Sequence, residues 1–486
     1  MRRQILVRAA FIAAIMLWFM PWMPALPGGA ISPSWRLGLT LAFERGMVFG
    51  QDIVFTFGPL GALDSWMYWP SIYLPALIFW AVLSGLSAWL LIRSDDHGAP
   101  AYWPAAGALL FASLTPDTAL MLLPWAYCVD AMRNRRRDAV STIALLCMSV
   151  LLLIKATLMP LCAVAVVCAA WLRDERPRMT LALDLAMLCL PALLWWWLLA
   201  QPLDALLPYL ERSFEVTRGY AQAMSLPPRE GVAIGLGFAG LGLAWLSWQQ
   251  VRSLPTGPWR RFAWPSFVLF SMMIAWRHSV TRGDGEHLVI GLSYFGALAL
   301  HALVLGSAHK RLALGIAALC LVGVVINVRR VDSNFMNGHP VARIPALVYG
   351  LGTLAQGHSP CAQLDAALQA QIAQARADHP SLRSLPGGFD ILGYDHDLLL
   401  ATDMREWKPR PVFQSYSVYT PKLADLNARF LASPAAPRWK RSRSWKINTT
   451  PSCVIAARRS GKSPSSAGPT ERWITSASSP RNSMRS

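Results

Sequence analysis

The sequence predicts an all-α, multi-pass membrane protein of about eleven helices, followed by a small extracytoplasmic domain. Three observations carry that prediction. Hydrophobic residues make up 54% of the 486 residues and charged residues only 15%, whereas soluble domains carry about 25% charge. The apolar residues fall in runs suited to helices that satisfy their own backbone in lipid. The basic residues collect between those runs and toward the C-terminus, as short cytoplasmic loops require. The formal charge of +18 therefore reads as topology and headgroup contact, and no nucleic-acid surface is expected. The 22 tryptophans suit the membrane interfaces.

Taken in order, Met1-Arg-Arg ahead of the run from Ala9 to Trp22 has the charge order of a signal peptide, but no clear small-x-small cleavage site follows. It reads as an uncleaved first helix, Val7 to Trp22, with Arg2, Arg3 and Arg8 holding the N-terminus in the cytoplasm. Residues 27–70 form the first external loop, and Ser71 to Ile92 the next helix. The region from Trp103 to Val129 is broken by Thr115-Pro-Asp-Thr118. Pro and Asp are costly in mid-span, so this is two short helices around an external turn. Arg133, Arg135, Arg136 and Arg137 then mark a cytoplasmic loop. Ser141 to Ile154 and Met159 to Leu172 repeat the pattern around Lys155-Ala-Thr157, before a second basic loop from Arg173 to Arg178. Leu181 to Ala200 crosses outward to an external loop, Gln201 to Glu230. Gly231 to Trp248, Phe262 to Trp276, Leu288 to Gly306 and Leu312 to Val328 complete the eleven. One topology satisfies every basic loop: N-terminus in the cytoplasm and C-terminal segment outside.

Residues 1–330 thus form the transmembrane domain and 331–433 an extracytoplasmic domain with an alanine-rich helix near Leu364 to Asp378. Residues 434–486, rich in Ser, Arg, Lys and Pro, are expected to be a disordered basic tail. Of the 8 cysteines, Cys128, Cys147, Cys162, Cys168, Cys189 and Cys320 lie in or beside apolar runs, where Cys acts as a small hydrophobe. No Cys/His spacing marks a zinc site.

Chemistry concentrates in the external stretches. In the first loop, Asp52 stands in Phe49-Gly-Gln-Asp-Ile-Val-Phe-Thr-Phe-Gly-Pro-Leu-Gly61, where Gly and Pro imply tight turns. Glu44 precedes it, on a short amphipathic helix from Trp35 to Met47 expected to lie in the interface. A carboxylate here can act as a general base or hold a divalent ion; capping a turn and pairing with an arginine is the alternative use. A second constellation is Arg277-His-Ser-Val-Thr-Arg-Gly-Asp-Gly-Glu-His287. Arg277 and Arg282 suit phosphate oxygens, and Asp284 and His287 share a helical face if a helix begins at Asp284. Metal binding by His278, Asp284 and His287 matches no strong pattern, and an ordinary solvated loop remains the alternative. Lys155, at the outer end of a short helix, either snorkels or faces a phosphate. Tyr209 to Met224 has helical periodicity and is expected to cover the cavity. Arg410, in Lys408-Pro-Arg-Pro-Val-Phe-Gln-Ser-Tyr-Ser417, is either a contact to a glycan or headgroup, or structural. No phosphate-cradling glycine loop, Gly-x-Ser-x-Gly elbow or His-Glu-x-x-His is present.

The arrangement resembles the bacterial multi-pass glycosyltransferases of the GT-C type. More narrowly, Phe49 to Gly61, Gly219-Tyr-Ala-Gln-Ala-Met224, Arg282-Gly-Asp-Gly-Glu-His287 and Pro409-Arg-Pro-Val-Phe-Gln-Ser-Tyr416 resemble motifs of uncharacterised bacterial members. The resemblance implies a GT-C-like fold that uses lipid-linked sugar phosphates outside the cytoplasm, with an essential acidic residue in the first external loop. Asp52 occupies that place, with Glu44 eight positions earlier in lieu of an adjacent second acid, so a divalent cation is an open expectation. The implied reaction moves a sugar from a polyprenyl-phosphate donor to a cell-envelope glycan or lipid. Asp52 would activate the acceptor hydroxyl, and Arg277, Arg282 and Lys155 would neutralise the leaving phosphate. The competing expectation is a non-catalytic transporter or envelope-complex scaffold handling lipid-linked glycans.

Overall fold

A computed structural model describes residues 2–29, 31–93, 102–134, 137–173, 177–226, 230–252, 258–328, 340–383, 388–393, 395–437, 439–443 and 453–457. The chain is a multi-pass, almost entirely helical membrane protein. Its helices are α1 (Arg2–Phe19), α2 (Ile31–Glu44), α3 (Pro70–Ile92), α4 (Tyr102–Ala112), α5 (Pro116–Arg133), α6 (Ala139–Ile154), α7 (Leu158–Arg173) and α8 (Pro177–Leu198). They continue as α9 (Leu206–Ala223), α10 (Glu230–Arg252), α11 (Pro258–Thr281), α12 (Gly285–Val304), α13 (Lys310–Val328), α14 (Pro340–Ala355), α15 (Pro360–Asp378) and α16 (Pro421–Ala432). A helix occupies each of the eleven positions read from the apolar runs. Among the described residues, five are long and apolar enough to cross a membrane: Pro70–Ile92, Arg178–Leu198, Gly231–Arg252, Gly285–Val304 and Lys310–Asn327.

Both expected breaks are present. Thr115 caps α5, accepting from Thr118 N at 3.1 Å, and Pro116 opens the helix; a proline is tolerated there because its missing N–H would be unpaired anyway. Lys155 ends α6, and α7 starts three residues on. In the bundle, α3 packs on α1 and α5, α5 on α7, α7 on α11, and α12 on α4, α11 and α13. Central α12 is buried along most of its length, whereas α8, α10 and α13 turn Leu190, Trp197, Phe238, Leu241, Leu321 and Val322 outward. That distribution fits a bundle with lipid as its solvent.

One end of the bundle is held by buried charges. Asp130 of α5 accepts from Arg93 Nε at 2.6 Å and from Arg173 Nη2 at 3.0 Å. Arg173 donates to Tyr127 Oη at 2.8 Å, and that phenol donates to Asp184 at 3.1 Å. Arg137 pairs with Asp184, and Arg93 reaches Asp138, the cap of α6, at 2.7 Å. Arg93, Arg137 and Arg173 therefore meet at one end of the bundle, joining α3, α5, α6, α7 and α8.

One expectation changes. Helix α2 forms, but residues 37–42 are buried on every side instead of lying on a surface. Ser34 contacts His396 Nδ1 at 3.0 Å, and Gly38 lies against the Phe413 ring. The C-terminal part is likewise docked on the first loop. Val54 N donates to Pro411 O at 2.8 Å, and Tyr68 Oη donates to Asp365 at 2.7 Å. Strand β1 (Phe389–Leu392) pairs in parallel with β2 (Trp439–Arg443), which pairs antiparallel with β3 (Cys453–Ala457). The rest of the expected disordered tail, beyond residues 434–437 and these two strands, lies outside the described residues.

Candidate functional site

The first loop is built from turns that favour glycine, followed by a segment bonded to a distant helix end. Gly46 and Gly50 have φ of 60° and 89°, in the left-handed region where other residues are strained. Asp52 belongs to this turn: its Oδ2 accepts from Val48 N at 2.8 Å, and the side chain is exposed. The chain then runs along the end of α6. Gly58 N donates to Ile154 O at 2.9 Å, Leu60 N to Leu153 O at 3.0 Å, and Ala156 N to Thr56 O at 3.1 Å. Trp35 stacks on Phe57 at 4.6 Å behind it.

The glycines make this contact possible. A Cβ on Gly58 would stand 2.5 Å from Leu153 O and would also meet Tyr209 Oη; one on Gly61 would stand 2.6 Å from Phe57 Cβ. Gly58→Ala is therefore expected to destabilise the protein by about 1–3 kcal/mol, the usual cost of overpacking. Thermal unfolding in detergent measures it; an unchanged midpoint would mean that the loop is not held here.

This docking brings charges from four places together. Lys155 Nζ pairs with Asp117, in the first turn of α5, and lies 4.8 Å from the Phe57 ring centroid. Asp64, at the end of the first loop, is buried, and its Oδ1 has no hydrogen-bond partner among the described residues. Burial first, and the charge of Asp117 second, push the Asp64 carboxyl up to about 7, against the lowering pull of Lys155 and Arg36. Arg36 of α2 is in electrostatic reach of Asp64, Glu286 and Asp117, and its Nε also lacks a partner among the described residues. Lys155, His278 and His287 all act on Asp117.

The stretch 277–287 is two helix ends joined by a short turn. Asp284 caps α12: its Oδ1 accepts from His287 N at 3.0 Å and contacts His287 Nδ1 at 2.8 Å. The helix starts where the shared face of Asp284 and His287 requires. Arg282 Nε lies 2.6 Å from Asp284 Oδ2. With the imidazole N–H and Arg282 beside it, Asp284 is held down at about 2 even though burial opposes this. With Nδ1 protonated toward Asp284, His287 Nε2 faces Tyr220 Oη of α9 at 3.2 Å. Helix α9 covers the assembly. Tyr209 lies against Gly50, Arg212 donates to Gly50 O, Gly219 lies against Tyr419, and the Tyr220 and Tyr419 rings are 5.7 Å apart. The four stretches singled out in the sequence thus meet through α9 and the bond from Val54 to Pro411.

Of the residues expected at the site, Lys155, Arg282, Asp284 and His287 come together. The others make no described hydrogen bond or ion pair with these four. Asp52 is committed to its own turn. Glu44 is exposed and accepts from Ser71 Oγ at 2.6 Å, at the start of α3. Arg277 is exposed near the end of α11, just before its last turn. Arg410 is buried, with Asp390 Oδ2 at 2.7 Å, Ile391 O and Phe413 O at 3.0 Å and Ser415 Oγ at 2.5 Å; its guanidinium is used within the fold. Asp64 and Arg36 were not singled out from the sequence. One signal was available: from Gly46 to Ile92 the only charged residues are Asp52 and Asp64, and a lone acid in an aromatic stretch needs a partner or a role. Among the described residues, no group of three or more His, Cys, Asp or Glu side chains forms a candidate metal site.

Compared with models of protein families, curated proteins and solved structures, the chain matches none.

Proposed function

We propose that the protein is a membrane glycosyltransferase that moves a sugar from a polyprenyl-phosphate donor to a cell-envelope glycan or lipid, on the periplasmic face of the inner membrane. The observation supporting this is the cluster beneath the first loop: buried Asp64, whose Oδ1 has no hydrogen-bond partner among the described residues, beside Arg36, Lys155 and Asp117, with Arg282 and His287 tied to the same cluster. A proton acceptor beside several cations is what displacement of a phosphate by a hydroxyl needs.

Of the three first-loop carboxylates, we assign the base to Asp64, because Asp52 is exposed and bonded within its own turn and Glu44 is exposed and bonded to Ser71. Asp64 takes the proton of the acceptor hydroxyl as its oxygen attacks the anomeric carbon. The bond from that carbon to the phosphate oxygen breaks, and the electron pair leaves with the polyprenyl phosphate. Lys155, Arg36 and Arg282 offset the charge that develops there. Single displacement inverts the sugar carbon.

The test is release of polyprenyl phosphate from a polyprenyl-phosphate-sugar extract by the purified protein in vesicles that also carry a cell-envelope glycan and lipid extract as acceptor. A base works deprotonated, so a carboxyl held near 7 gives a rate that rises with pH through about 7. Asp117→Asn removes a charge that raises the Asp64 value, so the rising limb should move to lower pH. No release, or a limb that stays in place in the Asp117→Asn protein, would refute this assignment.

A further inference from the structure

Helix α9 has two unlike faces. Tyr209, Ser213, Val216 and Gly219 are buried toward the charged site. Leu207, Leu210 and Phe214 are 74%, 42% and 68% exposed, and Leu203, in the turn just ahead, is 66% exposed. Spacings of four, three and four residues put these side chains on one stripe. Such a stripe is costly against water. It directly continues the outward surface of α8, where Trp195, Trp197 and Leu198 are exposed. The junction is fixed: Trp196 Nε1 donates to Pro202 O at 2.9 Å, and its ring lies 5.2 Å from that of Tyr209. Exposed Glu211 borders the stripe, and exposed Arg218 stands on the same face one turn beyond Phe214, where the apolar stripe ends and a charged group can reach a headgroup layer.

We infer that α9 lies in the lipid–water interface, with Leu203, Leu207, Leu210 and Phe214 in the bilayer and its opposite face closing the charged site. Its occupant is the bilayer surface itself, because the stripe extends the lipid-facing side of α8. A helix is about 10–12 Å across with its side chains, so a headgroup touching α9 stands one helix width from Tyr220 and His287. The helix is the wall between lipid and the cluster. This inference stands on the stripe and its continuity with α8, whatever chemistry the site performs.

The experiment places the photo-crosslinking residue p-benzoylphenylalanine at Leu207 or Phe214 in the full chain. The protein is reconstituted in nanodiscs of phosphatidylethanolamine and phosphatidylglycerol and illuminated, and its adducts are read by mass spectrometry. Exposed Lys422 of α16 serves as the control position. Lipid adducts at Leu207 and Phe214, with none above background at Lys422, are the expected result. Adducts at background level at both stripe positions, or crosslinks between two copies of the chain there, would overturn the inference. Leu203 provides a further stripe position should either substituted protein fail to accumulate.

Discussion

Asp64→Asn is expected to lower transfer about 100- to 10,000-fold, the range for loss of a general acid–base group, while Asp52→Asn retains activity. The two substitutions are chemically identical and both fall in the first loop, so the contrast isolates position. Stability separates catalysis from structure. The Asp64 carboxyl is raised from 3.8 to about 7 by burial and by Asp117. A raised folded-state value means that its contribution to stability is fully present below about 4 and lost as pH rises through about 7. At pH 8 the buried carboxylate therefore opposes folding, and the Asn protein should unfold at the same temperature as the parent or higher. Activity in complemented membranes and unfolding midpoints in detergent measure the two effects. An Asn protein that is both inactive and markedly less stable would make Asp64 structural.

Asp130→Ala is expected to be the most destabilising single change at the opposite end. It leaves Arg93 and Arg173, 10% and 1% exposed at their side chains, without their shared carboxylate. Removing one member of a buried ion pair costs about 3–5 kcal/mol, because the remaining charge stays buried. The effect should appear as a large fall in the unfolding midpoint or in membrane accumulation. Asp138→Ala, removing a carboxylate that is 55% exposed, should cost far less, since exposed pairs contribute about 0–1 kcal/mol. Equal effects of the two would mean that the network is not what joins α3, α5 and α7.

The helices were legible because lipid imposes a long apolar run and loops impose charge, and both signals are local. The breaks at Thr115-Pro-Asp-Thr118 and Lys155-Ala-Thr157 were legible for the same reason, and so was the helix start at Asp284, whose side chain caps its own helix. The identity of the buried first-loop acid was not. Asp52 stands out among turn-forming glycines, but those glycines make a turn that Asp52 itself closes. Asp64 enters the cluster through backbone bonds between residues 56–60 and 153–156, a contact with no side-chain signature. Arg410 was ambiguous because its partner, Asp390, lies twenty residues earlier in a strand. The burial of α2 depends on the docking of residues 396–413, which no periodicity within α2 records.

The central claim is that the site consumes a sugar carried on polyprenyl phosphate. The most direct test is mass spectrometry of the lipid-linked sugar pool in cells that lack the protein, make it, or make only the Asp64→Asn form. One polyprenyl-phosphate sugar is expected to accumulate without the protein, to fall when the parent chain is restored, and to stay high with Asp64→Asn. An unchanged pool in cells lacking the protein, or full clearance by the Asp64→Asn form, would contradict it.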